Sequence, residues 1–187
     1  TILCDKKRFL ELIYDFVLFD AGIKKLPRPH QFFGVKSAKE FCNRHEGGII
    51  WHTQGSGKSL VMVWLAKWLL ENNSNARVVI ITDRDELDKQ IERVFNDAGE
   101  EIKRTKSGRK LMEMLANPTP RAFCSLVHKF GKKDVDNYDQ FIKELQESPS
   151  KTYGDIFVFV DECHRTQSGK LHKTMKAIMK NSTFIGF

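Results

Sequence analysis

Residues 49–60, which read IIWHTQGSGKSL, decide the fold of this chain. The apolar start of this stretch is typical of a buried strand, and the apolar-rich segment after Lys58 is typical of a helix. Between them, Gly55 and Gly57 allow the backbone to curl so that several N–H groups point at one anion. The stretch therefore predicts a phosphate-binding loop, in which Lys58 reaches the β- and γ-phosphates of a nucleotide and the Ser59 hydroxyl holds Mg²⁺.

The loop departs from the general phosphate-loop pattern at its first position. That pattern has a glycine five residues before Gly57, where this chain has His52, so only the shorter form G-x-G-K-S remains. An ordinary strand-to-helix turn with a solvated lysine is the alternative interpretation. If the loop binds ATP, the residues around the phosphates are Thr53, Gln54, Gly55, Ser56 and Gly57, together with Lys58 and Ser59.

The composition favours one globular domain over a disordered chain. The 187 residues are 41% hydrophobic and include 14 phenylalanines, enough for one α/β domain with a core. A net charge of +7 suits a polyanionic partner such as nucleic acid. The four cysteines are far apart in sequence, which favours free thiols in a reducing cytoplasm. No apolar run approaches the roughly 18 residues of a membrane span, so no membrane contact is expected.

Hydrophobic periodicity predicts alternating helices and strands along the chain. A first helix, capped by Asp5 and closed by Gly22, carries an apolar stripe of Phe9, Leu10, Ile13, Phe16 and Val17. Further helices are expected after the phosphate loop and over residues 31–42, 82–95, 107–116 and 169–180, and strands over residues 49–51, 77–82, 122–127, 155–160 and 183–187. Residues 26–30 indicate a loop, and residues 134–151 are polar without a clear pattern. The alternation implies a parallel sheet with right-handed crossovers.

A second chemical feature follows the strand DIFVFV at residues 155–160. Asp161 and Glu162 come directly after this apolar run. In an open parallel sheet, ligands bind at the carboxyl ends of the strands, where the phosphate loop also lies. Asp161 is therefore predicted to bind Mg²⁺ opposite Ser59, mostly through water, and Glu162 to deprotonate the attacking water. A solvated acidic pair in a surface loop is the alternative.

The string at residues 161–164, DECH, resembles the DEAD/DEAH-type motif of superfamily 2 helicases and translocases. Longer strings resemble the restriction (R) subunit of type I restriction–modification enzymes: IIWHTQGSGKSL, ITDRDELDKQI, VDECHRTQSGKL, FIGF, and RFLELIYDFVLFD…RPHQFFGVKSA near the beginning. The resemblance covers nearly all the chain apart from residues 134–151. It implies the first RecA-like motor domain of an ATP-driven duplex-DNA translocase, with ATP and Mg²⁺ as cofactors.

The resemblance assigns roles to residues that match the family motifs. Lys58, Asp161, Glu162 and His164 are implied to be catalytic, and His164 would couple the nucleotide state to DNA contacts. Gln31 resembles the glutamine that reads adenine in related motors. A glutamine on the surface of a helix is the alternative for this residue.

Two strand ends are implied to face DNA. Thr82, Asp83 and Arg84 match a family segment that faces the DNA backbone, and Arg84 would contact a phosphate there. A surface ion pair is the alternative for this arginine. His128 and Lys129 lie at a comparable strand end. For these two residues, contact with DNA and no contact with DNA are equal alternatives.

The resemblance also divides the chain. Residues 1–47 would form a short helical segment that leads into the motor. Residues 48–187 would form the RecA-like domain, an α/β domain with a mostly parallel sheet flanked by helices. In the family, a nuclease domain lies upstream, and a second motor domain downstream supplies an arginine for ATP hydrolysis. We therefore expect the chain to belong to a longer subunit and to lack ATPase, translocase and nuclease activity by itself.

The implied setting is the cytoplasm of a prokaryote. The implied partners are duplex DNA and the methylation and specificity subunits of the restriction–modification complex. Two other functions fit the same motifs. Another superfamily 2 motor would separate DNA strands, whereas a restriction translocase moves on duplex DNA without unwinding it. A nucleotide-dependent DNA-binding module without activity is the non-enzymatic alternative.

Overall fold

A computed structural model of the chain describes residues 5–53, 55–82, 85–97, 101–126, 132–147, 152–161, 173–174, 176–177 and 181–187. The helices are α1 (Lys6–Phe16), α2 (Pro29–Asn43), α3 (Lys58–Asn72), α4 (Asp85–Asp97), α5 (Gly108–Leu115) and α6 (Lys132–Glu147). The strands are β1 (Leu18–Asp20), β2 (Ile23–Lys25), β3 (Gly48–Ile49), β4 (Ala76–Thr82), β5 (Ile102–Thr105), β6 (Ala122–Leu126), β7 (Asp155–Val160) and β8 (Thr183–Gly186).

Six of these strands form one parallel sheet in the order β3-β8-β7-β4-β6-β5. β4 and β7 lie at its centre, because both are apolar runs that helices cover on both faces of the sheet. Since the strands are parallel, their carboxyl ends meet at one edge of the sheet. The predicted α/β fold with a parallel sheet is confirmed.

The helices cover the sheet in two layers. One face packs against α2, α3 and α4 and buries Phe16, Trp64, Ile80 and Phe159. The other face packs against α5 and α6 and buries alternate residues of the same strands, among them Val79, Ile81 and Val158. Burial of both faces explains why β4 is a continuous apolar run instead of an alternating one.

The beginning of the chain differs from the prediction. Asp5 caps α1 by accepting a hydrogen bond from the backbone N–H of Arg8, as expected. The helix ends at Phe16, however, and Gly22 lies in the turn of the antiparallel β1–β2 hairpin. Ala21 and Gly22 both have positive φ, which gives the turn the twist that two short antiparallel strands require. Within the predicted stripe Phe16 is buried, whereas Phe9, Leu10 and Ile13 are half-exposed.

Several other boundaries shift for local reasons. α2 begins at Pro29, before the predicted residue 31, because proline is well suited to the first turn of a helix, where its missing N–H costs nothing. β3 is shorter than the predicted strand and ends at Ile49. The polar residues 132–147 form α6, whose Phe141, Ile142 and Leu145 are buried. β5 was not predicted. Of the predicted helix over residues 169–180, only 173–174 and 176–177 are described, and they are helical.

Two further expectations concern the core and membranes. Cys42 and Cys124 are buried thiols, and burial raises the pKa of Cys42 to about 12. Within the described ranges, no helix is long and apolar enough to cross a bilayer.

Candidate functional site

The predicted phosphate loop lies between β3 and α3. Gly55 and Gly57 have φ values of +76° and +84°, in the left-handed region that favours glycine. Gly57 caps α3, and its carbonyl accepts hydrogen bonds from the N–H groups of Leu60 and Val61. The N–H groups of Lys58 and Ser59 precede the first of these intrahelical hydrogen bonds, as the N–H groups that bind anions at a helix N-terminus do.

Gln31 at the start of α2 holds this loop from outside. Its Nε2 donates to the carbonyls of Ser56 at 3.0 Å and Gly57 at 3.2 Å, and its Oε1 accepts from the N–H of Arg28 at 2.7 Å. Gln31 is only 3% exposed, so it is not a surface glutamine. Any side chain at position 57 would collide with its amide, which is a second reason for glycine there. To read adenine, Gln31 would have to exchange one of these hydrogen bonds.

Two histidines pack beside the same loop. His30 Nε2 lies 3.2 Å from the Ser56 carbonyl, and the His30 and His52 rings meet edge to face with 5.1 Å between their centroids. His52 Nδ1 is buried and has no hydrogen-bond partner among the described residues. Burial lowers the pKa of His52, and the charges of His30 and Lys58 lower it further, which favours the neutral ring. Apart from the missing glycine at position 52, no sequence pattern predicted this pair of histidines.

The carboxylate of Asp161 is buried at the end of β7 and is 3% exposed. Its backbone N–H continues the sheet by donating to the Ile81 carbonyl at 3.0 Å. Thr82, at the end of the neighbouring β4, donates from Oγ1 to Asp161 Oδ2 at 3.4 Å. Thr82 was predicted to face DNA, but it is fully buried and its hydroxyl faces Asp161. The Thr82 side chain therefore supports the acidic residue, and its contact with DNA stays a prediction.

The sheet brings the phosphate loop and Asp161 to the same edge. β8 lies between β3 and β7, and its Gly186 pairs with Ile49 on one side and with Val160 on the other. Two strand spacings of about 4.8 Å separate the two ends, so roughly 10 Å lies between them.

Ser59 and Asp161 carry the hydroxyl and carboxylate oxygens that Mg²⁺ takes as ligands. The described part of the chain has no group of three or more His, Cys, Asp or Glu side chains that could hold a metal ion. Mg²⁺ characteristically keeps several waters and takes one or two carboxylates together with substrate phosphates. Among the ion pairs of the described residues, none joins Lys58 to a carboxylate.

Six predicted site residues lie outside the described residues: Gln54, Arg84, His128, Lys129, Glu162 and His164. Asp83 also lies outside them. The roles suggested for these residues stay predictions.

The chain is similar in sequence to curated endonuclease subunits of type I restriction enzymes. The HindI endonuclease subunit of Haemophilus influenzae is 31% identical over 209 residues, covering 95% of this chain and 19% of that protein. The SauMSSORF170P endonuclease subunit of Staphylococcus aureus is 30% identical over 162 residues, covering 86% of this chain and 17% of that protein. The chain thus spans less than a fifth of the length of these relatives.

A solved structure supports the fold. The UvsW helicase of bacteriophage T4 matches with a TM-score of 0.57 at 17% identity, covering 97% of this chain and 60% of that chain. This likeness concerns the fold alone and confirms the RecA-like α/β class.

The sequence profile of the SWI2/SNF2 ATPase family matches residues 30–187, from the start of α2 to the end of the chain. The chain therefore belongs to the SWI2/SNF2 ATPase family.

Proposed function

We propose that this chain is the ATP-binding motor domain of a type I restriction endonuclease subunit, which hydrolyses ATP to translocate duplex DNA. One observation carries the proposal. A glycine loop with positive φ at Gly55 and Gly57 lies at the same sheet edge as the buried Asp161. Its relatives are named as endonuclease subunits of type I restriction enzymes, which fits a motor that acts on DNA.

Each residue of this edge has one task in the proposed reaction. The loop N–H groups and Lys58 bind the phosphates, and Ser59 and Asp161 hold Mg²⁺, Asp161 mostly through water. Bound Mg²⁺ neutralises charge on the β- and γ-phosphates. Thr82 orients the Asp161 carboxylate. Glu162, the next residue, accepts a proton from the attacking water, and His164 couples the nucleotide state to DNA.

DNA contact is proposed at two neighbouring strand ends. β4 and β6 pair in register, with Thr82 opposite Leu126. Arg84 follows β4 by two residues and His128 follows β6 by two residues, with Lys129 next. Basic residues that directly follow two neighbouring strands in sequence suit phosphate contacts, which position a protein on duplex DNA without reading its sequence.

The wider assembly is proposed from the relatives. Residues 1–47 lead into the motor and residues 48–187 form its first RecA-like domain. Phe16 of the leading segment is buried with Trp64 of α3, and Trp64 Nε1 donates to the Phe16 carbonyl at 3.0 Å. The complete subunit would add a nuclease domain and a second motor domain, work with methylation and specificity subunits, and reside in the cytoplasm of a prokaryote.

The test of the nucleotide site is Lys58→Ala, measured by titration with a fluorescent ATP analogue. A charge-assisted hydrogen bond is worth roughly 1.5–3 kcal/mol, so affinity should fall about tenfold or more. Lys67→Ala is the matched control, because Lys67 lies on the same helix, carries the same charge and pairs with Glu71 at the surface. Equal affinities of the Lys58 and Lys67 variants would contradict phosphate binding by the loop.

A further inference from the structure

The ring of His52 rests against a glycine of the facing helix. A Cβ atom placed on Gly34 of α2 would lie 3.1 Å from both Cε1 and Nε2 of His52. Such a distance is tighter than ordinary van der Waals contact, so a side chain at position 34 would require the ring to shift by a few tenths of an ångström. Gly34 therefore provides the space that the imidazole occupies.

Three residues on one face of α2 hold the loop. Gly34 follows His30 by four residues and Gln31 by three, so it lies on the same side of the helix as both. His30 and Gln31 contact the Ser56 carbonyl near the end of the loop, and Gly34 receives His52 at its beginning. The edge of His30 packs on His52 and joins the two points. The loop is thus fixed to α2 at both ends.

We propose that His52 is a positioning residue for nucleotide binding and that Gly34 is its partner. The general phosphate-loop pattern has glycine at position 52; here the loop carries a ring and the facing helix carries the glycine that makes room for it. The inference rests on the proposed nucleotide site and deepens it. His52 acts through the loop backbone, which it holds in the conformation that points N–H groups at phosphate.

The physical basis is preorganisation. A loop that is already fixed at both ends loses less conformational freedom when it binds an anion, and that saving appears as affinity. An ordered ring at position 52 restricts the backbone conformations of the first residues of the loop. The hydrogen bonds of Gln31 restrict those of its last residues in the same way. A displaced ring would leave the first N–H groups of the loop less well aligned with the phosphates.

The experiment is a double-mutant cycle of Gly34→Ala and His52→Gly, with affinity for a fluorescent ATP analogue and the midpoint of thermal unfolding both measured. Gly34→Ala should weaken binding about three- to tenfold, the scale of one net hydrogen bond. The unfolding midpoint should not fall, because alanine favours the helical conformation of α2 more than glycine does. Ser37→Ala, in the same helix, is the control and should leave affinity unchanged.

The cycle separates positioning from general damage. If Gly34→Ala acts through the ring, adding it to His52→Gly causes no further loss of affinity, because the group that collides is gone. Two losses that multiply would overturn the proposal. The proposal would also be overturned if the single variant His52→Gly bound the nucleotide with wild-type affinity. That measurement tests the proposal even if Gly34→Ala does not fold. A loss with Lys58→Ala but none with Gly34→Ala would leave the nucleotide site intact and refute only this inference. No loss with Lys58→Ala would refute the site and the inference together.

Discussion

Thr82 Oγ1 donates a hydrogen bond to Asp161 Oδ2 across the ends of two neighbouring strands, with 3.4 Å between the two oxygens. Both residues are buried, and the pairing of β4 with β7 brings them together. A buried carboxylate needs donors around it, because the loss of water is otherwise uncompensated. The threonine hydroxyl supplies one of them.

Replacing Thr82 by valine keeps the shape of the side chain and removes this donor. We expect Thr82→Val to lower the free energy of unfolding by about 1 kcal/mol, the typical net value of one hydrogen bond. Urea denaturation would measure the change. Thr82→Ser keeps the hydroxyl and is the control for the donor. A valine variant that is as stable as wild type would mean that the hydrogen bond to Asp161 does not stabilise the fold.

The central part of the fold follows from the sequence because burial on both faces leaves continuous apolar runs. β4 and β7 are such runs, and each was predicted within one residue of its observed bounds. The β1–β2 hairpin was missed because Phe19 and Ile23 extend the helical pattern of α1 while both are exposed in the structure. β5, with the sequence IKRT, has too few apolar residues to be recognised as a strand.

The site was predictable only where chemistry is local. The pattern G-x-G-K-S predicts a turn at Gly55 and Gly57 and phosphate binding by Lys58, because all three residues belong to one short stretch of sequence. The contacts of Gln31 with Ser56, of Thr82 with Asp161 and of Gly34 with His52 join residues far apart in sequence. Such contacts depend on strand order and helix rotation, which periodicity does not determine.

Arg77 is a buried cation at the end of the sheet opposite the site. It is 1% exposed and its guanidinium donates to the carbonyls of Met114, Leu115, Asn117, Pro120 and Tyr153. Burial lowers the pKa of Arg77, and the nearby charge of Arg121 lowers it further. The guanidinium ties the end of α5, the loop before β6 and the loop before β7 to the central strand β4.

We expect Arg77→Met to lower the free energy of unfolding by about 3 kcal/mol or more, because several buried carbonyls lose their donor at once. Guanidinium chloride denaturation would measure it. Arg44→Met is the control, since Arg44 is exposed and pairs with Glu46 at the surface, and it should change stability little. If both variants have the same stability, the hydrogen bonds of Arg77 do not stabilise the fold.

Glu144 of α6 makes stability depend on acid. The Ser107 hydroxyl donates to its Oε2 at 2.6 Å and lowers the pKa of the carboxyl, helped by the N–H of Arg109 and the Gln140 amide. A carboxyl whose pKa is lower in the folded state stabilises the fold above its unfolded pKa, near 4.3, and loses that contribution as the pH falls through its folded pKa. Stability should therefore decrease on acidification below about pH 5.

The free energy of unfolding of Glu144→Gln should decrease less on acidification than that of wild type, because the variant has no carboxyl to protonate at the contact with Ser107. Denaturation at several pH values between about 3 and 7 would measure the difference from wild type. Glu113→Gln, an exposed change on α5, is the control and should keep the wild-type pH dependence. Parallel curves for wild type and Glu144→Gln would rule out a role for this carboxyl.

The last prediction separates nucleotide binding from chemistry in the full-length subunit. Asp161→Asn should weaken binding that depends on Mg²⁺, because an amide binds the cation and its waters less strongly than a carboxylate. Its oxygen can still accept from Thr82, so the strand ends should stay paired.

Glu162→Gln should instead keep ATP bound while hydrolysis falls by about 10²-fold or more, the scale for losing a general base. Titrations with a fluorescent ATP analogue in Mg²⁺ and in EDTA, together with phosphate release in the presence of duplex DNA, would measure both effects. Wild-type hydrolysis by Glu162→Gln would assign the proton transfer to another group. A loss of affinity in EDTA as large as that in Mg²⁺ would mean that Asp161 supports the fold of the site and not the cation.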